Sequence, residues 1–437
     1  MVKSTAEILQ KLGIKELNQM QLATQEALEK HEEVILLSPT GTGKTLAFLL
    51  PLLGKLNLDE EKIQALIIVP SRELAIQIET ILREIGSGFK VNAVYGGRAG
   101  SKDKIDLQHT PQILIGTPGR VADHIRRENI ETFDIQTLVL DEFDKSLEIG
   151  FEKEMREITE ALPRAKRKIL TSATQKVGIP SFLHLNHPFQ LDFTAEKSKN
   201  LDIKVIETKE DQKLKDLVRL LSQIGQGRGI IFCNFKDSIQ EVSAFLEGHQ
   251  IQHSLFYGGL EQIDRERALI RFRNGSSPYL LATDLAARGI DVPEIDSIIH
   301  YEIPFKKEEF THRNGRTARM HADGVAYILN SKNRNLPDFI QDFETEDLKP
   351  ISLPIPVSTW ETLFISGGRK DKISKGDIAG LFLKQGGLSN EELGHIELKK
   401  DCAFVAVHKE KASVIIDKLN NSRLKKKKVR ISILENQ

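Results

Sequence analysis

Two stretches of the chain carry residue types that can handle a phosphoanhydride. Ser38-Pro39-Thr40-Gly41-Thr42-Gly43-Lys44-Thr45 sets two glycines, a lysine and hydroxyls in a short turn. Asp141-Glu142-Phe143-Asp144 sets paired carboxylates directly after the apolar run Thr137-Leu138-Val139-Leu140. The first reads as a phosphate loop, its candidate contacts being Thr40, Gly41, Thr42, Gly43, Lys44 and Thr45. Free backbone N–H groups at a helix N-terminus favour an anion, and a lysine there reaches the terminal phosphates. Thr45 would ligate Mg2+, with Asp141 holding the ion through water and Glu142 orienting and deprotonating the attacking water. Such a set hydrolyses a nucleoside triphosphate. Ser38 stands where the usual loop has its first Gly, a small residue that the turn tolerates.

The elements that must position these groups are readable nearby. Val34 to Leu37 is a short apolar strand, and Thr45 to Leu50 opens a helix. Asp141 falls at the carboxyl end of a buried strand, where open α/β sheets place their ligands. Short apolar runs at 65–69, 92–95, 113–115 and 168–170 alternate with amphipathic stretches such as 71–85 and 151–161. That alternation predicts a parallel sheet with crossover helices. A polar, Lys-rich stretch around 192–200 interrupts it, and a second alternating set follows at 229–232, 254–257, 279–282, 297–300 and 325–329. This second set has no phosphate loop but carries His312-Arg313-Asn314-Gly315-Arg316-Thr317-Ala318-Arg319. Arg316 and Arg319 there are either arginine fingers for a γ-phosphate or surface salt-bridge residues.

At 437 residues the length fits about three domains. Apolar content of 40% and charged content of 28% are ordinary for a soluble globular chain. No run of apolar residues is long enough to span a bilayer, and no basic-then-apolar leader is present, so the expected setting is cytoplasmic with no membrane partner. Cys233 and Cys402 each sit in apolar runs and read as reduced core residues. The 62 basic and 62 acidic residues cancel, but from Trp360 onward there are 16 basic and 10 acidic residues. A polyanion footprint is therefore expected at the C-terminal end.

From about Ile8 to Leu329 the chain resembles the DEAD-box ATP-dependent RNA helicases. Pro70-Ser71-Arg72-Glu73-Leu74-Ala75, Gly96-Gly97, Thr117-Pro118-Gly119-Arg120 and Ser172-Ala173-Thr174 follow the family's order in the first set. Phe232-Cys233-Asn234, 262–265, Ala282-Thr283-Asp284, Arg288-Gly289-Ile290-Asp291 and the His312 block follow it in the second. The resemblance implies two tandem RecA-like parallel-sheet lobes, at residues 1–195 and 202–345, and an RNA-dependent ATPase. It implies that Gln21 reads adenine, that Asp291 contacts ATP, and that Asp144, Ser172, Thr174 and His312 couple hydrolysis to lobe closure. It implies RNA contacts at Pro70, Arg72, Gly97, Thr117, Arg120 and Thr283, made to backbone rather than bases. The chain departs from the pattern at Phe143, where the family has Ala, at Leu17-Asn18, where Pro-Thr is usual, at Ile14, where an aromatic is usual, and at Ala318, a usual Gly.

A connector over 346–360 turns Pro-rich, and 361–437 reads as βαββαβ, the order of a small RRM-like α+β RNA-binding fold. Phe364 and Phe404 fall where such folds stack bases, though Phe404 at period-2 spacing fits a core position equally well. Lys425-Lys426-Lys427-Lys428 is either a solvated turn or a phosphate patch. The stretch Gly367-Gly368-Arg369-Lys370, Gly386-Gly387-Leu388 and Phe404-Val405-Ala406-Val407 resemble the C-terminal domain of the DbpA subgroup. That resemblance implies a 23S ribosomal RNA hairpin and the pre-ribosomal large subunit as partners, with the chain acting as a monomer. The alternatives are a general RNA helicase of messenger RNA, cold response or decay, and a non-enzymatic ATP-gated RNA clamp.

Overall fold

The structure, a computed structural model, describes residues 3–39, 41–97, 100–148, 150–173, 178–194, 201–284, 295–317, 324–350 and 357–435. Thr40, Thr174, Asp291 and Arg319, expected in the site, lie outside the described residues. The chain divides into two compact units, one from the first 199 residues and one from nearly all the rest. Among the described residues no helix is long and apolar enough to cross a membrane.

The first unit holds β1 (Glu33–Leu37), β2 (Ala65–Ile68), β3 (Val91–Val94), β4 (Ile113–Gly116), β5 (Thr137–Leu140), β6 (Arg167–Ser172) and β7 (Phe189–Asp192). They form one sheet in the order β3-β4-β2-β5-β6-β1-β7, and every pairing is parallel. Because helices cover both faces, β2, β4 and β5 are buried at every residue. That is why these strands read as unbroken apolar runs rather than alternating ones. The helix Arg72–Ile85 shows how the covering elements are specified. Ser71 caps it by accepting from the Leu74 N–H, Leu74, Ile78, Leu82 and Ile85 form its buried stripe, and Gly86 ends it at φ +61°.

The second unit begins with β8 (Leu201–Thr208), β9 (Gly229–Phe232), β10 (His253–Phe256), β11 (Tyr279–Ala282), β12 (Ser297–His300), β13 (Gly324–Ser331) and β14 (Phe343–Thr345). Their order is β10-β11-β9-β12-β13-β8-β14. Counted from the start of each unit, this is the same permutation as in the first. Two parallel α/β lobes of one topology therefore stand in tandem. Lys204 pairs with Glu346 at 2.7 Å, and the Lys349 N–H donates to Gln223, so the lobe continues a few residues past 345.

The remainder forms β15 (Trp360–Ile365), β16 (Leu393–Leu398), β17 (Ala403–His408), a two-residue hairpin of β18 (Arg423–Leu424) and β19 (Lys427–Lys428), and β20 (Ile431–Ile433). The main sheet is antiparallel in the order β16-β17-β15-β20, with helices at Lys375–Gly380 and Ala412–Leu419 packed on one face. The other face is covered as well. Phe404 and Leu434 are buried with Ile270 of the second lobe, and Phe364 and Cys402 pack against that cluster. Around it, Ser276 and Thr362 share a hydrogen bond at 2.6 Å, Ser358 donates to the Gly275 carbonyl at 2.6 Å, and Arg273 pairs with Glu397 at 3.3 Å. Of the two readings of Phe404, the structure shows the core one, buried against another domain of the same chain. Period-2 spacing identifies which face a residue is on but not what covers that face.

Candidate nucleotide site and nucleic-acid interface

The phosphate loop starts where β1 ends. Ser38 N–H donates to the Ser172 carbonyl at the end of β6, extending the ladder by one residue. Gly41 and Gly43 then turn the chain at φ +82° and +86°, a region that glycine enters without strain. Lys44 opens the helix Lys44–Leu53, and its buried Nζ donates to the carbonyls of Ser38 and Pro39 at 2.6 and 2.9 Å. Ser38, the departure from the usual loop, is fully buried and its hydroxyl meets that of Thr42 at 2.7 Å. Thr42 in turn donates to the Pro39 carbonyl. The substitution adds a strut within the loop.

A second departure is also structural. Asn18 caps the helix Gln19–Lys30 and sends its side-chain amide to the Thr42 carbonyl at 2.9 Å. Gln21, the expected adenine reader, is buried. Its Oε1 accepts from the Asn18 N–H at 3.0 Å, and its Nε2 donates to the Gly43 carbonyl at 3.2 Å. A Cβ at Gly43 would lie 2.5 Å from that Nε2, so glycine is needed for this approach as well as for the turn. The helix carrying Gln21 is thereby bolted to the loop that would hold the phosphates.

Asp141 and Glu142 follow β5, and both are buried. Thr171 on β6 donates its hydroxyl to Asp141 and accepts the Glu142 N–H at 3.2 Å. Glu142 sits at φ +49°, a left-handed conformation costing roughly 1–2 kcal/mol for a residue with a Cβ. Burial pushes the Asp141 carboxyl up to about 6, and Glu142 beside it adds to the rise. The Thr171 hydrogen bond and the Lys44 charge oppose it. Two crowded acids with an oxygen-only donor set, Thr45 included, suit a small hard cation, so these residues fit Mg2+. Bound there, the ion would neutralise phosphate charge as it develops. Phe143 turns away from this chemistry: it is 2% exposed and packs in the core with Leu140, Leu66 and Val121. The family's small Ala is thus replaced by a ring that fills the sheet–helix interface, leaving both acids in place.

Asp144 and Ser172 are buried in the first unit, with Lys145 Nζ 3.9 Å from the Asp144 carboxylate. His312 and Arg316 are buried in the second. Between those two in sequence, Arg313 is almost fully buried. It makes a paired contact to Asp284 at 2.7 and 2.5 Å, and donates to the Asn234 side chain at 2.7 Å and to the Glu302 carbonyl at 2.6 Å. One guanidinium thus ties together the loops after β9, β11 and β12. Sequence reasoning passed over it, because in a row of arginines nothing marks which one is interior.

Pro70, Arg72, Gly97, Thr117 and Arg120 all fall just beyond the carboxyl ends of β2, β3 and β4. Arg72 packs on the glycine turn so closely that a Cβ at Gly97, φ +80°, would lie 2.3 Å from its Nη1. Arg120 Nε donates at 2.7 Å to Asp103, a carboxylate with no solvent exposure that also meets His124 Nε2 at 3.3 Å. Asp103 was not anticipated: it lies in a polar stretch with no local signal. Thr283, the expected contact in the second unit, is half-buried after β11, its N–H 3.4 Å from the Phe256 carbonyl.

The chain matches three family models in order: DEAD/DEAH box helicase at residues 18–179, helicase conserved C-terminal domain at 212–321, and DbpA RNA binding domain at 362–433. It is 30% identical to the ATP-dependent RNA helicase DbpA of Bacillus subtilis, over 97% of this chain and 96% of that one. It is 31% identical to DbpA of Escherichia coli, over 98% and 96%. Among solved structures it is similar to S. cerevisiae Dbp5 bound to RNA and ADP BeF3, at 25% identity and TM-score 0.67, covering 75% of this chain and 88% of that one. These lobes, this loop and this order of domains place the chain in the DbpA family of DEAD-box ATP-dependent RNA helicases.

Proposed function

We propose that this helicase remodels 23S ribosomal RNA during assembly of the large ribosomal subunit, with its C-terminal domain choosing the RNA. The observation that carries this reading is the match of residues 362–433 to the DbpA RNA binding domain, joined to a core that binds ATP and RNA. Its charge supports it. Arg423, Lys425, Lys426, Lys428 and Arg430 are exposed on and beside the β18–β19 hairpin, and only Lys425 among them has a short ion pair, to Asp377 at 3.1 Å. With the sheet face covered by the second lobe, this hairpin is an exposed cationic feature that suits a polyanion.

In the core, Gly41 to Lys44 would cradle the phosphates, Lys44 exchanging loop carbonyls for phosphate oxygens. Gln21 would read adenine, which requires its amide to leave the Gly43 carbonyl. Glu142 would take the proton of the attacking water. Arg316 and Arg319 are proposed to supply the arginine charge that stabilises γ-phosphoryl transfer. Binding of labelled 23S fragments and of an unrelated hairpin by fluorescence anisotropy tests the selectivity. Reversing Lys426, Lys428 and Arg430 to Glu should abolish the preference for the ribosomal fragment and flatten the salt dependence. Equal affinity for both RNAs in the unaltered chain would favour a general helicase instead.

A further inference from the structure

Phe235 and Phe305 are 55% and 74% exposed, and their rings lie 6.1 Å apart at 59°. Neither belongs to a buried core cluster among the described residues. Phe235 is the N-cap of the helix Lys236–Gly248 and makes no side-chain cap bond. A Ser, Thr, Asn or Asp at such a position stabilises a helix by about 1 kcal/mol. Phe305 is the most exposed of the large apolar side chains among the described residues. Two exposed rings meeting from loops seventy positions apart in sequence, with no gain to the fold, mark a binding surface.

The surroundings select the ligand. The rings are flanked in sequence by Lys236 and by Lys306 and Lys307, all exposed, with Asp237, Glu308 and Glu309 following as the acidic neighbours. The loops holding them are fixed by one network. Asn234 Nδ2 donates to the Ile303 carbonyl at 2.9 Å, and Glu302 accepts from the Asn234 N–H and the Ser238 hydroxyl at 2.6 and 2.9 Å. Arg313 links Asn234 to Asp284, the neighbour of Thr283. The aromatic pair therefore stands at the same end of the second-lobe sheet as Thr283, held by rigid anchors. Exposed rings interleaved with lysines beside a phosphate-tracking surface are the arrangement on which unpaired bases stack.

We propose that Phe235 and Phe305 form a stacking site for one unpaired nucleobase of the RNA strand bound to the second lobe. The inference rests on RNA binding by that lobe and goes beyond its backbone contacts. Because the tilted rings do not stack on each other, a ring face remains open to a base. Such stacking tolerates any base and would pin the strand's register on the lobe without selecting a sequence.

The test uses the full chain, a non-hydrolysable ATP analogue and oligouridine strands carrying a single 2-aminopurine moved one position at a time. One position should be quenched on binding. Phe305→Ala and Phe235→Ala should each restore its fluorescence and weaken binding by about 5- to 100-fold, with the melting temperature unchanged because both rings are exposed. Phe305→Tyr should keep the quenching. Phe305→Leu, apolar but without a π face, should lose it. RNA binding with no quenched position, or quenching kept in Phe305→Leu, would overturn the stacking site and leave the helicase reading intact. A chain that binds none of the strands would overturn both.

Discussion

Thr362, on the first strand of the C-terminal domain, shares a buried 2.6 Å hydrogen bond with Ser276 of the second lobe. Both hydroxyls lie under the face where Phe404, Leu434 and Ile270 meet. The C-terminal sheet is therefore docked through the surface that a free RNA-recognition fold would offer to bases.

Phe404→Ala is expected to destabilise the chain by about 3–5 kcal/mol, as truncation of a buried Phe does. Denaturant unfolding would show it, and RNA affinity at temperatures below the transition should change little. A Phe404→Ala chain of unchanged stability with sharply weakened RNA binding would show that the ring stacks bases instead.

Thr171 ties the Asp141 carboxylate to the Glu142 backbone N–H. Thr171→Val removes a hydrogen bond to a charged group worth about 1.5–3 kcal/mol, so kcat for ATP should fall about 10- to 100-fold. RNA affinity should be unaffected. Steady-state ATPase kinetics with saturating RNA check this.

Asp103 holds Arg120 by a 2.7 Å bond from within the core. Asp103→Asn should raise the RNA concentration needed for half-maximal ATPase several-fold while leaving kcat near its original value. An equal fall in kcat with no change in the RNA requirement would place Asp103 in the fold alone.

The Asp141 carboxyl has its folded pKa raised to about 6 from an ordinary 3.8. A raised acid stabilises the fold at pH below its unfolded value, and that contribution is lost as pH climbs through the folded value. Without Mg2+, the stability of Asp141→Asn relative to the unaltered chain should therefore rise between pH 4 and 6, by on the order of 3 kcal/mol. Melting temperatures of the two chains across that range check it. A flat difference would mean that Asp141 is not held in this environment.

Much of this was legible in the sequence because the physics involved is local. Buried parallel strands announce themselves as apolar runs, and the loop from Ser38 to Thr45 needs its glycines and lysine in fixed order. The less legible parts depend on contacts distant along the chain. Asp103 meets Arg120 only because β3 and β4 are neighbours, and Arg313 differs from the other arginines of its block only in being interior. The roles of Ser38 and Asn18 could be read as departures but not as struts until their partners at Thr42 were seen. The covering of Phe404 required knowing that Ile270, in another domain, faces it.

In the proposed function, RNA chosen through the C-terminal domain governs ATP turnover in the core. Steady-state ATPase activity of the full chain tests it most directly, with no RNA, total messenger RNA, an unrelated hairpin, and a 23S fragment containing the peptidyl-transferase-centre hairpins. The 23S fragment is expected to stimulate far more strongly than the others, and Glu142→Gln to abolish turnover while still binding that RNA with ATP. Equal stimulation by every RNA would contradict it, leaving a helicase core whose C-terminal domain does not choose.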